Sequence, residues 1–288
     1  MHCFYNLAFY NQQTTRCLIP ALQLIETKKV TTFTSMKQPT KKDTTKQMEL
    51  AWKKFRKKDF DGAQKVFSSI TQEDPAFGES LYGHIGCLMR KKEYTGALDL
   101  LDDMGQLNPE DHTVYHLRAL CHGGNTDYNK AIKNLEKAIE LGGDRHDLYY
   151  DMGGTYLVMK DFQRAAQCFE KCIDLDGKCH EAWVGKALVA WYTKSTKAAM
   201  EFASISLKLH PKNLPALLIK ADIFLESGNK KELEKEVKKI LSIDPDIFKN
   251  PVGNEEPLSQ MYDEDDSPKD EDANRSEDDE IEEFNFDE

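Results

Sequence analysis

HDLYYDMGGTYLVMKDFQRAAQCFEKCIDLDG, residues His146 to Gly177, decides how this chain folds. It holds an apolar run with Gly153 in its middle, a polar break at Lys160 and Asp161, and a second amphipathic run anchored on Ala165 and Phe169. At a period of 3.6 residues this predicts two helices lying back to back. A pair this short cannot bury its apolar face alone, so the neighbouring segments must repeat it.

They do. Stepping by 34 residues from Ala165 reaches Ala63, Ala97, Ala131, Ala199 and Leu233 without an insertion or deletion. Four residues further on stand Phe67, Leu101, Leu135, Phe169, Ala203 and Val237, and three beyond those Ile70, Met104, Ala138, Cys172, Ser206 and Ile240. Each second helix is predicted to end before Pro75, Pro109, Gly143, Gly177, Pro211 or Pro245, residues that stop a helix or favour its C-terminal cap. In the first helices the small position reads Ala51, Ile85, Ala119, Gly153, Ala187 and Ala221, Ile85 being the exception to smallness.

This pattern of large, small and aromatic, then Ala, large, small and Pro, resembles the tetratricopeptide repeat (TPR), in six units covering roughly residues 44 to 247. The resemblance implies an all-α, right-handed superhelical solenoid of paired antiparallel helices, with repeats at 44–77, 78–111, 112–145, 146–179, 180–213 and 214–247 within a domain of 44–250. Small residues let paired axes approach while a large side chain of the partner helix fills the space above. The end repeats deviate as caps should: Gln47 replaces a large apolar residue, and the last helix, from Lys230, is charged over much of its surface.

Charge is uneven along the chain. Residues 1–46 carry seven Lys or Arg and two acids, and 251–288 carry two basic and seventeen acidic residues, which leaves the repeats near neutral within a net charge of −11. The 251–288 segment, acidic and poor in branched aliphatics, is expected to be disordered. It is read as a solubilising tail, or as a docking segment through Ile281, Phe284 and Phe286; Ser276 before EDDE would suit an acid-directed kinase. Residues 1–43 read as a disordered or extended arm, or as an extension upstream of a start at Met36 or Met48, in preference to a transit peptide. No apolar stretch is long enough to cross a bilayer. Seven cysteines, an odd number set mostly in helices, suit free thiols in a cytoplasmic, reducing compartment.

Catalytic chemistry has no residues to stand on: there is no phosphate loop, no H-E-x-x-H pair and no G-x-S-x-G elbow, and no cofactor is implied. His112, His116 and His122 recur in one helix, His116 and His122 on different faces; lone helical histidines are more often packing or surface residues than catalysts. Cys168, Cys172, Cys179 and His180 form a weak candidate for a metal or thiol site, but Cys172 also occupies a small core position and the spacing is not that of familiar zinc modules. A near-neutral repeat block and an acidic tail speak against nucleic acid.

What remains is binding. In proteins similar to this one, the first helix of each repeat lines the concave face. Carried over, this gives Trp52 and Phe55, then Tyr82 and Met89, His116, Tyr150 and Trp191 as partner-binding residues, with Glu79, Asp147 and Glu181 among them. Aromatic residues and Met are enriched at binding hot spots. A well-known branch of the family clamps the C-terminal carboxylates of heat-shock chaperones with Lys, Asn and Arg. The corresponding positions here are Met48, Trp52, Gly83, Thr113 and Leu117, or one repeat later Tyr82, Gly86, Leu117, Asp147 and Asp151, and no window supplies the cations. The chain therefore reads as a non-catalytic scaffold binding a protein or peptide in a concave groove. The alternatives are an autoinhibited module whose tail fills that groove, and the metal or thiol site.

Overall fold

The computed structural model describes residues 41–73, 78–245 and 247. The segment before Lys41 and the acidic tail from Pro251, with the expectations placed on them, lie outside the described residues. Twelve α-helices and no strand are found among those described. They run α1 Lys41–Arg56, α2 Phe60–Glu73, α3 Gly78–Arg90, α4 Tyr94–Leu107, α5 His112–Gly124, α6 Tyr128–Gly142, α7 His146–Val158, α8 Phe162–Leu175, α9 His180–Tyr192, α10 Thr196–Leu209, α11 Leu214–Glu226 and α12 Lys230–Ile243. The fold is all-α and superhelical, with each odd-numbered helix packed against the even-numbered helix that follows it.

The sequence register is the packing register. Ala63, Ala97, Ala131, Ala165 and Ala199 are all buried, as are Phe67, Leu101, Leu135, Phe169 and Ala203 and then Ile70, Met104, Ala138, Cys172, Ser206 and Ile240. In the first helices Ala51, Ile85, Ala119, Ala187 and Ala221 are buried too. Phe169 shows why smallness matters. A Cβ built on Gly153 of the same repeat would stand 2.8 Å from its ring, and one built on Gly185 of the next repeat 2.5 Å. The ring fills space that two glycines vacate, and Phe67 against Gly83 repeats the device at the first junction.

Every turn from first to second helix has one design. Lys58, Lys92, Thr126, Lys160, Lys194 and Gly228 adopt left-handed backbone, with φ between 60° and 69°. The next residue sends its N–H back five residues: Asp59 to Lys54, Glu93 to Leu88, Asp127 to His122, Asp161 to Tyr156, Ser195 to Ala190 and Asn229 to Phe224, at 2.8–3.0 Å. This is the hydrogen-bonded C-terminal cap that a left-handed residue allows. That same residue opens the second helix, and the side chains of Asp59, Asp161 and Asn229 accept from Gly62, Arg164 and Glu232 N–H groups. One tripeptide thus closes one helix, turns the chain and starts the next.

The final helix departs from the pattern. Leu233 and Val237 are only half-buried, while Glu236 is buried and paired with Lys220 at 3.4 Å and Lys239 at 3.1 Å. No further repeat covers this helix among the described residues, and a terminal helix keeps a charged surface on its outer side.

Candidate functional site: the inner wall

First helices of successive repeats pack on one another, α1 with α3, α5 with α7, α7 with α9 and α9 with α11, and no comparably packed pair of second helices occurs among the described residues. The first helices are therefore the inner layer of the curve. Stacking brings side chains of one repeat against those of the next, and polar bonds join them across the junctions. Trp52 Nε1 donates to Glu79 Oε1 at 3.2 Å, Tyr82 OH donates to Asp111 Oδ2 at 2.7 Å, and His116 Nε2 meets Asp151 Oδ2 at 2.6 Å.

The expected binding residues fall into two groups. Phe55, Tyr82 and Tyr150 are half-buried and keep solvent-facing surface. Trp52, Met89, His116 and Trp191 are buried, Met89 completely. Trp52 lies edge-on to Phe55 and Phe67, with centroids 5.6 and 4.9 Å away, and so packs against the half-buried ring of Phe55. Tyr150 lies 6.0 Å from the Phe169 ring at the size-matched junction. Burial, with the Asp111 charge and hydrogen bond adding to it, pushes the Tyr82 hydroxyl far above its ordinary range, so it stays a donor.

Carboxylates recur along this layer, and their neighbours hold them in place. Asp147 accepts from Arg145 twice, Nε at 3.1 Å and Nη2 at 2.7 Å, and from the Leu148 N–H at 3.1 Å. Burial works to raise its pKa, but the Arg145 fork and the nearby His116 and His146 outweigh it and hold the carboxyl below its usual range. Asp111 is both the acceptor for Tyr82 and the cap of α5, its Oδ1 taking the Thr113 N–H at 2.8 Å. Glu181 is exposed, with Oε1 3.4 Å from His180 Nε2. The sequence reading singled out Asp147, Glu181 and Glu79 and missed Arg145 and the double role of Asp111. For Asp111 the available signal was an Asp immediately before an amphipathic run; Arg145, in a loop, gave none.

Cys168, Cys172, Cys179 and His180 do not gather as metal ligands; among the described residues no set of three or more His, Cys, Asp or Glu side chains does. His180 Nδ1 is instead 3.0 Å from Asn213 Nδ2, and its ring stacks on His210 with centroids 4.5 Å apart. No described helix is long and apolar enough to cross a membrane.

A stack of paired helices at a fixed 34-residue register, with buried clusters running along repeats one to three, three to six and within the last repeats, defines a helical-repeat protein. The family comparison gives it a name. The sequence profile of the tetratricopeptide repeat matches residues 54–121, and a second such profile matches 112–141 and 146–179. The chain carries tetratricopeptide repeats over these residues, and the helices of its fifth and sixth units continue the same register beyond them. Solved structures agree on the fold. A TPR protein of Thermus thermophilus superposes at a TM-score of 0.54 with 16% identity, covering 63% of this chain and 99% of that one. Cut9, in its APC/C hetero-tetramer with Hcn1, reaches 0.62 with 15% identity over 83% of this chain and 46% of its own. The type IV pilus biogenesis factor PilW also reaches 0.62, with 12% identity over 72% and 96%. No curated protein sequence matches the chain closely enough to count as a relative.

Proposed function

We propose that this protein is a non-catalytic adaptor, working in a reducing, cytoplasmic compartment, that grips a partner segment bearing Lys or Arg beside apolar residues. Tetratricopeptide repeat proteins are protein–protein interaction scaffolds, and the partner chemistry follows from the inner wall. The observation that carries it is Asp147, a carboxylate held ionised in a half-buried position, on the same helix as the half-exposed Tyr150 ring. A cation entering there shares the carboxylate with Arg145, and its apolar neighbours meet Tyr82, Phe55 and Tyr150. Trp52, Met89, His116 and Trp191 serve in this reading as the bed that fixes those rings. The like charge of the wall and of the tail from Pro251 weighs against the tail as occupant. The free thiols of the described cysteines support the compartment.

The test is selection of ligands from a random peptide library displayed on phage. Enriched peptides should combine Lys or Arg with Leu or aromatic residues, and Tyr150→Ala and Asp147→Asn should each lower their affinity at least about tenfold, equivalent to about 1.4 kcal/mol. Enrichment of acidic peptides, or undiminished binding by both variants, would remove the proposal's basis.

A further inference from the structure

Cys172 sits in α8 in the position that Ala138 holds in α6, and Cys179 is the residue that caps α9. Both side chains are buried, and their sulfurs lie 3.5 Å apart. The Cys172 thiol points at the Cys179 sulfur, and the Cys179 thiol points in turn at Glu181 Oε2, 3.7 Å away. The two cysteines thus form a short relay from the core of one repeat to an exposed carboxylate of the next. That hydrogen bond to Cys179, together with burial, pushes the Cys172 thiol far above the ordinary range. Cys179, 8% exposed where Cys172 is 0% and with a carboxylate to take its proton, is the sulfur that meets an oxidant first. A disulfide holds its sulfurs at about 2.05 Å, so roughly 1.5 Å of approach separates the dithiol from the bond.

We propose that Cys172 and Cys179 are a modification site: a dithiol that hydrogen peroxide converts to a disulfide, tying α8 to α9 across the junction of repeats four and five. Cys179 yields its thiol proton toward Glu181, and its sulfur attacks one peroxide oxygen. The O–O bond breaks as the S–O bond forms, and the departing hydroxide takes up a proton and leaves as water. Cys172 sulfur then attacks the sulfenic sulfur of Cys179, the S–S bond forms, the S–O bond breaks, and the leaving hydroxide carries off the Cys172 proton as a second water. The two sulfurs lose two electrons and one peroxide becomes two waters. In a reducing compartment such a bond is transient, as suits a sensor.

The full chain can be treated with excess hydrogen peroxide, blocked with N-ethylmaleimide, digested with trypsin and weighed. Cleavage after Lys171, Lys178 and Lys186 separates 172–178 from 179–186, so the bond joins two peptides. The expected product is that linked pair, two hydrogens lighter than the sum of its parts and released by dithiothreitol. In Cys172→Ala, a residue the same position already tolerates as Ala138, the pair should vanish and Cys179 should accumulate as sulfenic and sulfinic acid. Recovery of both peptides carrying maleimide after oxidation, or linkage of either to a different cysteine, overturns the proposal. The measurement uses no ligand, so its result is independent of the groove reading.

Discussion

Two junctions of the solenoid solve the same problem in opposite ways. Between repeats four and five, Phe169 lies on Gly185; one repeat earlier the residues in those registers are Leu135 and Asp151, and Asp151 faces His116 instead. The first junction is dry and matched by size, and the second is closed by a buried polar pair whose side chains are 7% and 8% exposed. Continuing the register gives Phe67 with Gly83, Leu101 with Leu117 and Ala203 with Ile219. Three of these junctions set a large residue against a small one, Phe67 on Gly83, Phe169 on Gly185 and Ala203 with Ile219, while Leu101 with Leu117 sets two large buried side chains in the same register. At Leu135 with Asp151 a hydrogen bond to His116 takes over.

The largest effect should come from breaking the dry junction. Phe169→Ala empties space lined by two glycines that cannot fill it, and should cost about 3–5 kcal/mol in urea unfolding. The comparison is sharpened by Gly185→Ala, whose methyl meets the ring, combined with Phe169→Leu, which withdraws it. The double variant should be more stable than the sum of the single losses, by a coupling of about 0.5–3 kcal/mol. Strict additivity would mean that size matching is not what joins these repeats. Ala165→Leu, at the small position of the same helix, should overpack and cost roughly 1–3 kcal/mol.

The polar junction should be weaker but more specific. Asp151→Ala leaves His116 buried without this partner and should cost about 1–3 kcal/mol, whereas changing both residues to Leu should recover much of the loss. If the double variant is as unstable as the single one, the pair is not the element that closes this junction.

These contrasts also mark what the sequence could reveal. The fold was legible because smallness at Ala63, Ala97, Ala131, Ala165 and Ala199 is a steric requirement repeated at fixed spacing, and one residue type satisfies it each time. The site was less so. Trp52, Met89 and Trp191 sit at inner-wall positions, yet an apolar residue there can turn into the junction as readily as into the groove, and the spacing does not distinguish the two. The His116 and Asp151 pair depends on 35 residues of separation and on the rotation of one repeat against the next, which no local pattern encodes. The left-handed turns were hidden for a different reason: five of the six use Lys or Thr, and Gly228 alone shows the residue expected there.

Acid should lower stability in two steps. His84 in repeat two and His180 in repeat five are both shifted below 6.5, chiefly because burial disfavours the charged ring. The unfolded chain then binds more protons than the folded one, so stability is full above pH 6.5 and falls as pH drops below it. Asp147, held below 3.8, contributes stability that is lost only below that value. Urea midpoints measured from pH 7.5 to 3 should therefore fall in two steps, and His84→Gln, His122→Gln and His180→Gln together should flatten the first while leaving the second, since burial also lowers His122. A first step that persists in that triple variant would assign it to other groups.

The smallest effect concerns the turns, where the last repeat differs from the other five. Gly228 occupies the left-handed position at φ 69° without a steric cost, and Lys160 occupies it at φ 60° with one. A side chain in that region costs about 1–2 kcal/mol, while glycine costs about 0.5–1 kcal/mol in conformational freedom lost on folding. The two terms oppose each other, and the steric one is larger. Lys160→Gly should stabilise by up to about 1 kcal/mol, and Gly228→Lys should destabilise by a similar amount. Both turns keep their five-residue hydrogen bond, Asp161 to Tyr156 and Asn229 to Phe224, each at 2.9 Å, so the substitutions change backbone strain while the cap stays in place. If Lys160→Gly instead destabilises, the lysine contributes packing or charge at this turn that outweighs its strain, and the five non-glycine turns are held by their side chains as well as by their caps.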